Sequence, residues 1–142
     1  MSNPARPKAI TLHWTDLDAK ARIVLKWDEA PNLCQAIVDH LPLRSISWHS
    51  VISGENIGFP LPVVWTKADN PRERTYGEVY LYANGQLGII PYGKTTEPGD
   101  VNVWGSVDAA DMENVERAGR IVADHFRSGP GKPFFVDIAV SD

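Results

Sequence analysis

A chain of 142 residues, 43% hydrophobic and 23% charged, fits one domain with one core, and 11 glycines and 11 prolines imply many turns between short strands. A formal charge of -4 leaves no concentrated basic face for phosphate backbones, so nucleic acid is not an expected partner. A single cysteine, Cys34, excludes an internal disulfide; no apolar run approaches the ~20 residues of a membrane helix and MSNPARPKAI lacks a signal-peptide hydrophobic region, so a cytoplasmic location is expected.

Ala9 to Thr15 alternates Ile10, Leu12 and Trp14 against polar neighbours, and Ala21 to Trp27 repeats the pattern, so the two read as an antiparallel hairpin turned at Asp16-Leu17-Asp18. Ala30-Pro31-Asn32 changes the period. Leu33, Ala36, Ile37, His40 and Leu41 then share one face of a helix of about three turns, stopped at Pro42. Cys34 reads as a small buried thiol on that helix, since no acidifying neighbour is visible.

Ser45 to Ile52 reads as a strand with Ile46, Trp48, Val51 and Ile52 buried, followed by a Ser-Gly-Glu-Asn turn and a Pro60/Pro62 segment that cannot continue a sheet. Thr66 to Thr75 lacks an apolar period and reads as a surface loop carrying Arg72 and Arg74. Glu78 to Tyr82 and Leu87 to Tyr92 form a second hairpin about Asn84-Gly85, where positive φ is expected, and Val101 to Trp104 is a further short strand.

Ser106 or Asp108 caps a second helix whose apolar face is Met112, Val115, Ala118, Val122 and Phe126, ended by Ser128-Gly129-Pro130-Gly131. Phe134 to Val140, apolar except at Asp137, reads as a central strand. The sum is an α+β, mainly β chain of about eight strands and two helices without βαβ alternation, which predicts an antiparallel barrel or curled sheet plugged by helices.

Ala21-Arg22-Ile23-Val24-Leu25 followed by Ala30-Pro31-Asn32 and an amphipathic helix resembles the opening of cyclophilins. Trp48-His49-Ser50-Val51-Ile52-Ser53-Gly54 resembles their aromatic-His-Arg-Val-Ile-Pro-Gly segment, with Ser50 in place of the prolyl isomerase arginine. Ala30 to Pro42, Trp48-His49, Ser53-Gly54-Glu55, Tyr76 to Tyr82, Tyr92-Gly93 and Gly99 to Trp104 together resemble a cyclophilin-like group of small bacterial proteins that includes cucumopine synthase relatives. The resemblance implies a cyclophilin-like barrel and a Pictet-Spengler cyclase joining an amino acid such as histidine to a keto acid or aldehyde through an imine. Such chemistry asks for a base to take the ring proton, a proton donor and a carboxylate clamp in a partly dry pocket.

Glu55 is the first candidate base; its alternative is a solvated turn acid. His49 is either a proton carrier or a satisfied structural histidine. Tyr92 either donates to the departing hydroxyl or packs in the core with its own hydroxyl tied to backbone. Ser53 can hold a substrate carboxylate or merely close a turn, and Arg72 and Arg74 can clamp one or remain solvated. Trp48, Trp65 and Trp104 form an aromatic wall for the substrate or belong to the core.

No zinc motif or nucleophile elbow is present, and Gly129-Pro130-Gly131-Lys132 follows a helix, the reverse of a P-loop. No metal, nucleotide or other cofactor is expected, and the expected partner is a small-molecule substrate, with a homo-oligomer left open. A non-catalytic module binding a small anion or peptide is the alternative, and residual prolyl isomerase activity the third reading.

Overall fold

The computed structural model describes residues 6–128 and 132–142. The opening of the tail and the Gly129-Pro130-Gly131 part of the expected helix stop lie outside the described residues. The strands are β1 (Ala9–Trp14), β2 (Ala19–Leu25), β3 (Leu43–Ile46), β4 (Trp48–His49), β5 (Gly54–Pro60), β6 (Pro71–Glu73), β7 (Glu78–Tyr82), β8 (Leu87–Thr95), β9 (Asp100–Val107) and β10 (Phe135–Ser141); the helices are α1 (Pro31–Val38) and α2 (Met112–Arg127). All pairings are antiparallel, in the order β3-β10-β1-β2-β9-β7-β8-β5-β4, with β6 added on β9. The expected antiparallel barrel with two helices is therefore the observed fold.

The two ends of that order, β3 and β4, are consecutive in the chain and separated only by Ser47. Ser45 and Arg44 pair with β10, whereas Trp48 and His49 pair with β5. Ser47 N–H donates to the Phe134 carbonyl at 2.7 Å, and the Ser45 hydroxyl donates to the Pro60 carbonyl at 2.8 Å. One bent segment thus nearly closes the sheet on itself, which is how a barrel limits exposed edges.

Inside, Ile10, Leu12, Trp14, Ile23, Ile57, Phe59, Ile90, Trp104 and Ile138 are essentially fully buried. The alternation of β1 and β2 supplies the first of these, as their period demands. α1 seals part of the interior with Leu33, Cys34 and Ile37, and the Cys34 thiol donates to the Trp104 carbonyl at 3.3 Å. Burial pushes that thiol up to about 12, so it stays protonated.

α2 packs across β2, β4, β5 and β8. Its first half is tied to the β1–β2 turn: Arg117 donates to the Leu17 and Asp18 carbonyls, and Asn114 to that of Lys20. Met112, Val115, Ala118 and Val122 face the core as their spacing predicts, but Phe126 is half exposed. The helix begins at Met112, beyond the expected caps, because Ala109–Asp111 forms a 3-10 turn; Asp108 pairs with Arg22 instead.

Several local expectations are corrected. The strand expected over Ser45 to Ile52 ends at His49; Val51 and Ile52 are 88% and 91% exposed, and Ile46 is exposed on the outer face. Ser53 stays in the turn, but the Gly-Glu-Asn that follows it and the segment up to Pro60 are strand β5, which pairs with β8 because Pro60 lies at its end and costs no interior ladder bond. Positive φ falls on Gln86 rather than on Asn84 or Gly85: residues 83–85 form a 3-10 turn, as residues 15–17 do before Asp18. No helix of the described residues is long and apolar enough to cross a membrane.

Candidate functional site

β4, β5 and β8 bring three of the sequence candidates together. His49 stands opposite Ile57, and Ile57 opposite Ile90, so His49 and Tyr92 point to the inner face from the strands on either side of β5. Their rings meet edge to face at 5.7 Å between centroids, with 2.6 Å between Tyr92 Oη and His49 Nε2. His49 Nδ1 lies 2.8 Å from the Ser50 carbonyl, which can only accept; Nδ1 therefore carries the proton and Nε2 accepts from the Tyr92 hydroxyl.

Burial is the largest cause lowering the His49 pKa, and the Arg127 charge adds to it against the opposing Ser50 carbonyl and Glu55. The imidazole is thus held neutral. Burial, then the Glu55 charge, pushes the Tyr92 phenol up to about 12, with Arg120 and Arg127 acting the other way. The pair is an uncharged relay of fixed direction, from tyrosine to histidine to backbone.

Glu55 sits beside this pair, at the start of β5 where the register with β8 shifts. Its Oε1 accepts from the Lys94 amide at 3.2 Å. The carboxylate fills the space over Gly93, where a Cβ would come within 2.6 Å of it. Gly119 of α2 plays the same part for Tyr92, whose ring occupies the place of a side chain there.

A cavity of about 430 Å³ opens over these groups, lined by His49, Glu55 and Tyr92 from the barrel and by Arg120, Asp124 and Arg127 from α2. Two guanidiniums and two carboxylates thus face one hollow beside a neutral tyrosine–histidine pair. Sequence reasoning assigned no role to Arg120, Asp124 or Arg127. The signal was present, since 120, 123, 124 and 127 follow the i, i+3, i+4, i+7 spacing of one helix face next to the apolar stripe.

The remaining candidates lie elsewhere. Arg74 stacks over Tyr80 and donates to the carbonyls of Glu97, Pro98 and Gly99, while Arg72 is 3.9 Å from Glu78. Neither covers the cavity, because the expected loop is held to β9 through β6. Trp104 is fully buried in the core, Trp65 lies beside α1, and Trp48 faces outward over Gly58, so the three tryptophans do not share a wall.

Ser53 lines a separate outer hollow, and its carbonyl accepts from the Thr96 amide and the Asn56 side chain, closing the turn. Ser50 hydroxyl donates to the Gly54 carbonyl, again a turn contact. His40 ring nitrogen meets the Ala36 carbonyl and His125 packs on Phe134. Among the described residues no three histidine, cysteine or acidic side chains cluster as metal ligands.

No protein-family model and no curated protein matches the chain. Solved structures do. McbB in complex with tryptophan superimposes with a TM-score of 0.83 at 22% identity over 94% of this chain, which spans only 46% of that one. The solution structure of hypothetical protein AF2241 from Archaeoglobus fulgidus aligns with a TM-score of 0.70 at 21% identity, covering 99% of this chain and 100% of its own. At these identities the likeness is one of fold: this chain shares its barrel and its two helices with proteins of both lengths.

Proposed function

We propose that the inner cavity binds an amino acid and that the protein is a Pictet-Spengler-type cyclase, condensing that amino acid with a keto acid or aldehyde without a cofactor. The observation that carries the reading is the charge arrangement: Arg120 and Arg127 complement a carboxylate, Asp124 and Glu55 complement an ammonium, and both sets face one hollow. The barrel shared with McbB, which was solved with tryptophan, supports an aromatic amino acid as readily as the histidine implied by cucumopine synthase relatives.

In the reaction, the substrate amine attacks the carbonyl carbon and the adduct loses water to give an imine, which is protonated to an iminium. A ring carbon of the amino acid then bonds to the iminium carbon. The displaced ring proton passes to the Glu55 carboxylate, restoring aromaticity, so the product is the sum of both substrates less one water. Tyr92, kept protonated and directed by His49, orients the polar groups of the adduct; the desolvated floor strengthens each of these interactions.

Mass spectrometry of purified protein with tryptophan or histidine and a panel of small keto acids and aldehydes tests the reading. A product at the summed mass less water, dependent on protein and absent with Glu55→Gln, is expected. Its absence across the panel overturns the cyclase. A second reading, a non-catalytic module for a small anion, is favoured by the same two arginines; it predicts saturable binding without turnover and equal affinity in Glu55→Gln.

A further inference from the structure

A second hollow lies on the outer face of the barrel. Its floor is one transverse row of the sheet, in which Trp48 pairs with Gly58, Gly58 with Ile89 and Ile89 with Tyr80. These positions alternate with the core residues Ile57 and Ile90, so they face outward. Gly58 adds no side chain, and the Trp48 ring lies across it; a Cβ there would come within 2.8 Å of the indole.

Tyr82, two residues beyond Tyr80, shares the face and is 40% exposed. Ser50 to Ser53 form one wall and Thr96 to Pro98 the other, joined where the Thr96 amide donates to the Ser53 carbonyl at 2.9 Å. The open hollow measures about 540 Å³, within the range of small-molecule sites.

Charge decides what this trough accepts. The nearby Arg74 guanidinium is already held at each nitrogen: Nη1 donates to three backbone carbonyls, Nε to the Tyr80 hydroxyl at 3.4 Å, and Nη2 pairs with the Glu97 carboxylate at 3.7 Å. Among the described residues no arginine, lysine or histidine lines the trough. An anion would be desolvated against the Glu97 carboxylate with no cationic group to receive it. The half-exposed Glu97 carboxylate and the hydroxyls of Ser53 and Thr96 can still accept a hydrogen bond at the rim.

We propose that the trough is a binding site for an uncharged aromatic N–H heterocycle of the indole class, seated against Trp48 and Tyr82 with its N–H toward the Glu97 rim. Aromatic contact supplies the affinity and the acceptor rim the orientation. The site does not rest on the cyclase reading, since Glu55, His49, Tyr92, Arg120 and Arg127 lie across the Ser50–Ile52 wall.

Indole titrated into ¹⁵N-labelled protein tests it, read at the Trp48 side-chain N–H and the amides of Tyr82, Ile89 and Glu97. Saturable shifts at these positions are expected, with binding weakened about fivefold in Tyr82→Ala and about fivefold for indole-3-propionate in place of indole. Shifts confined to Gly93 and Ala123, no saturable shift at all, or equal affinity of the variant or of the propionate would each overturn the proposal. If Tyr82→Ala loses the native spectrum, Glu97→Gln replaces it: about threefold weaker indole binding supports the site and unchanged binding overturns it.

Discussion

On the inner side of the Ser50–Ile52 wall, four charged side chains and a tyrosine–histidine pair face one cavity; on the outer side, aromatic rings floor a trough whose nearest guanidinium is already engaged. The two hollows are of similar size and share a wall one strand of chain thick. What separates them is strand parity. His49 and Trp48 are neighbours in sequence, and alternation sends one inward and the other outward. A single dipeptide thus contributes to a polar site and to an apolar one.

The largest effects are expected on the inner side. Glu55→Gln should reduce condensation at least ~10²-fold with little change in melting temperature, because the carboxylate is exposed and its removal leaves the core intact. Gly93→Ala should approach the same loss by displacing the carboxylate rather than deleting it. Kinetics of the two variants side by side separate position from charge: an active Gly93→Ala would show that the seat of Glu55 is unimportant.

Next come the arginines. Arg127→Gln should raise KM for the amino acid about tenfold while kcat changes far less, since a carboxylate clamp acts equally on ground and transition states. A fall in kcat alone would place Arg127 in the chemistry instead of in binding.

Tyr92→Phe should cost about 1–3 kcal/mol of stability, measured by urea unfolding, because it leaves the buried His49 Nε2 without its donor. The pH dependence tests the same pair. The folded His49 pKa lies below its unfolded value, so as pH falls through about 6.5 the unfolded chain takes up a proton that the folded chain refuses, and stability declines. The Tyr92 phenol titrates at about 12 when folded against about 10 unfolded, so its contribution is present below pH ~10 and lost as pH rises toward 12. Unfolding midpoints across pH should show both flanks, and His49→Gln should flatten the acid one.

The smallest effect belongs to the wall. Val51→Ser and Ile52→Ser should leave stability within about 0.5 kcal/mol, because these side chains bury almost nothing. A larger loss would mean that the exposed pair is covered in solution.

The barrel was legible where alternation met an apolar interior: β1 and β2 read directly, β10 as an apolar run, and α2 by its stripe of Met112, Val115, Ala118 and Val122. Reading failed where parity and composition disagreed. Val51 and Ile52 are β-branched yet project from a turn, because the hydrogen bonds of Ser50, Ser53 and Asn56 hold the backbone out of the sheet. Glu55, His49 and Tyr92 were named for their chemistry, and the structure brings them to one cavity. Arg120 and Arg127 were passed over because charges on a helix ordinarily face solvent; only the meeting of α2 with β4, β5 and β8, a contact distant in sequence, gives them a target.

The bend at Ser47 bears on how the molecule assembles. Because β3 and β4 belong to the two extremes of the sheet, the segment between Leu43 and His49 can finish pairing only after both extremes exist, and its contacts with β10 span most of the chain. Loop closure makes such contacts slow to form. His49 lies on the two-residue strand that completes the circuit, so its bond to Tyr92 is expected among the last to form in folding and the first to open. Amide exchange at Trp48 and His49 should therefore outpace that of β1 and β10, and the cavity itself serves as the indicator that the barrel has shut.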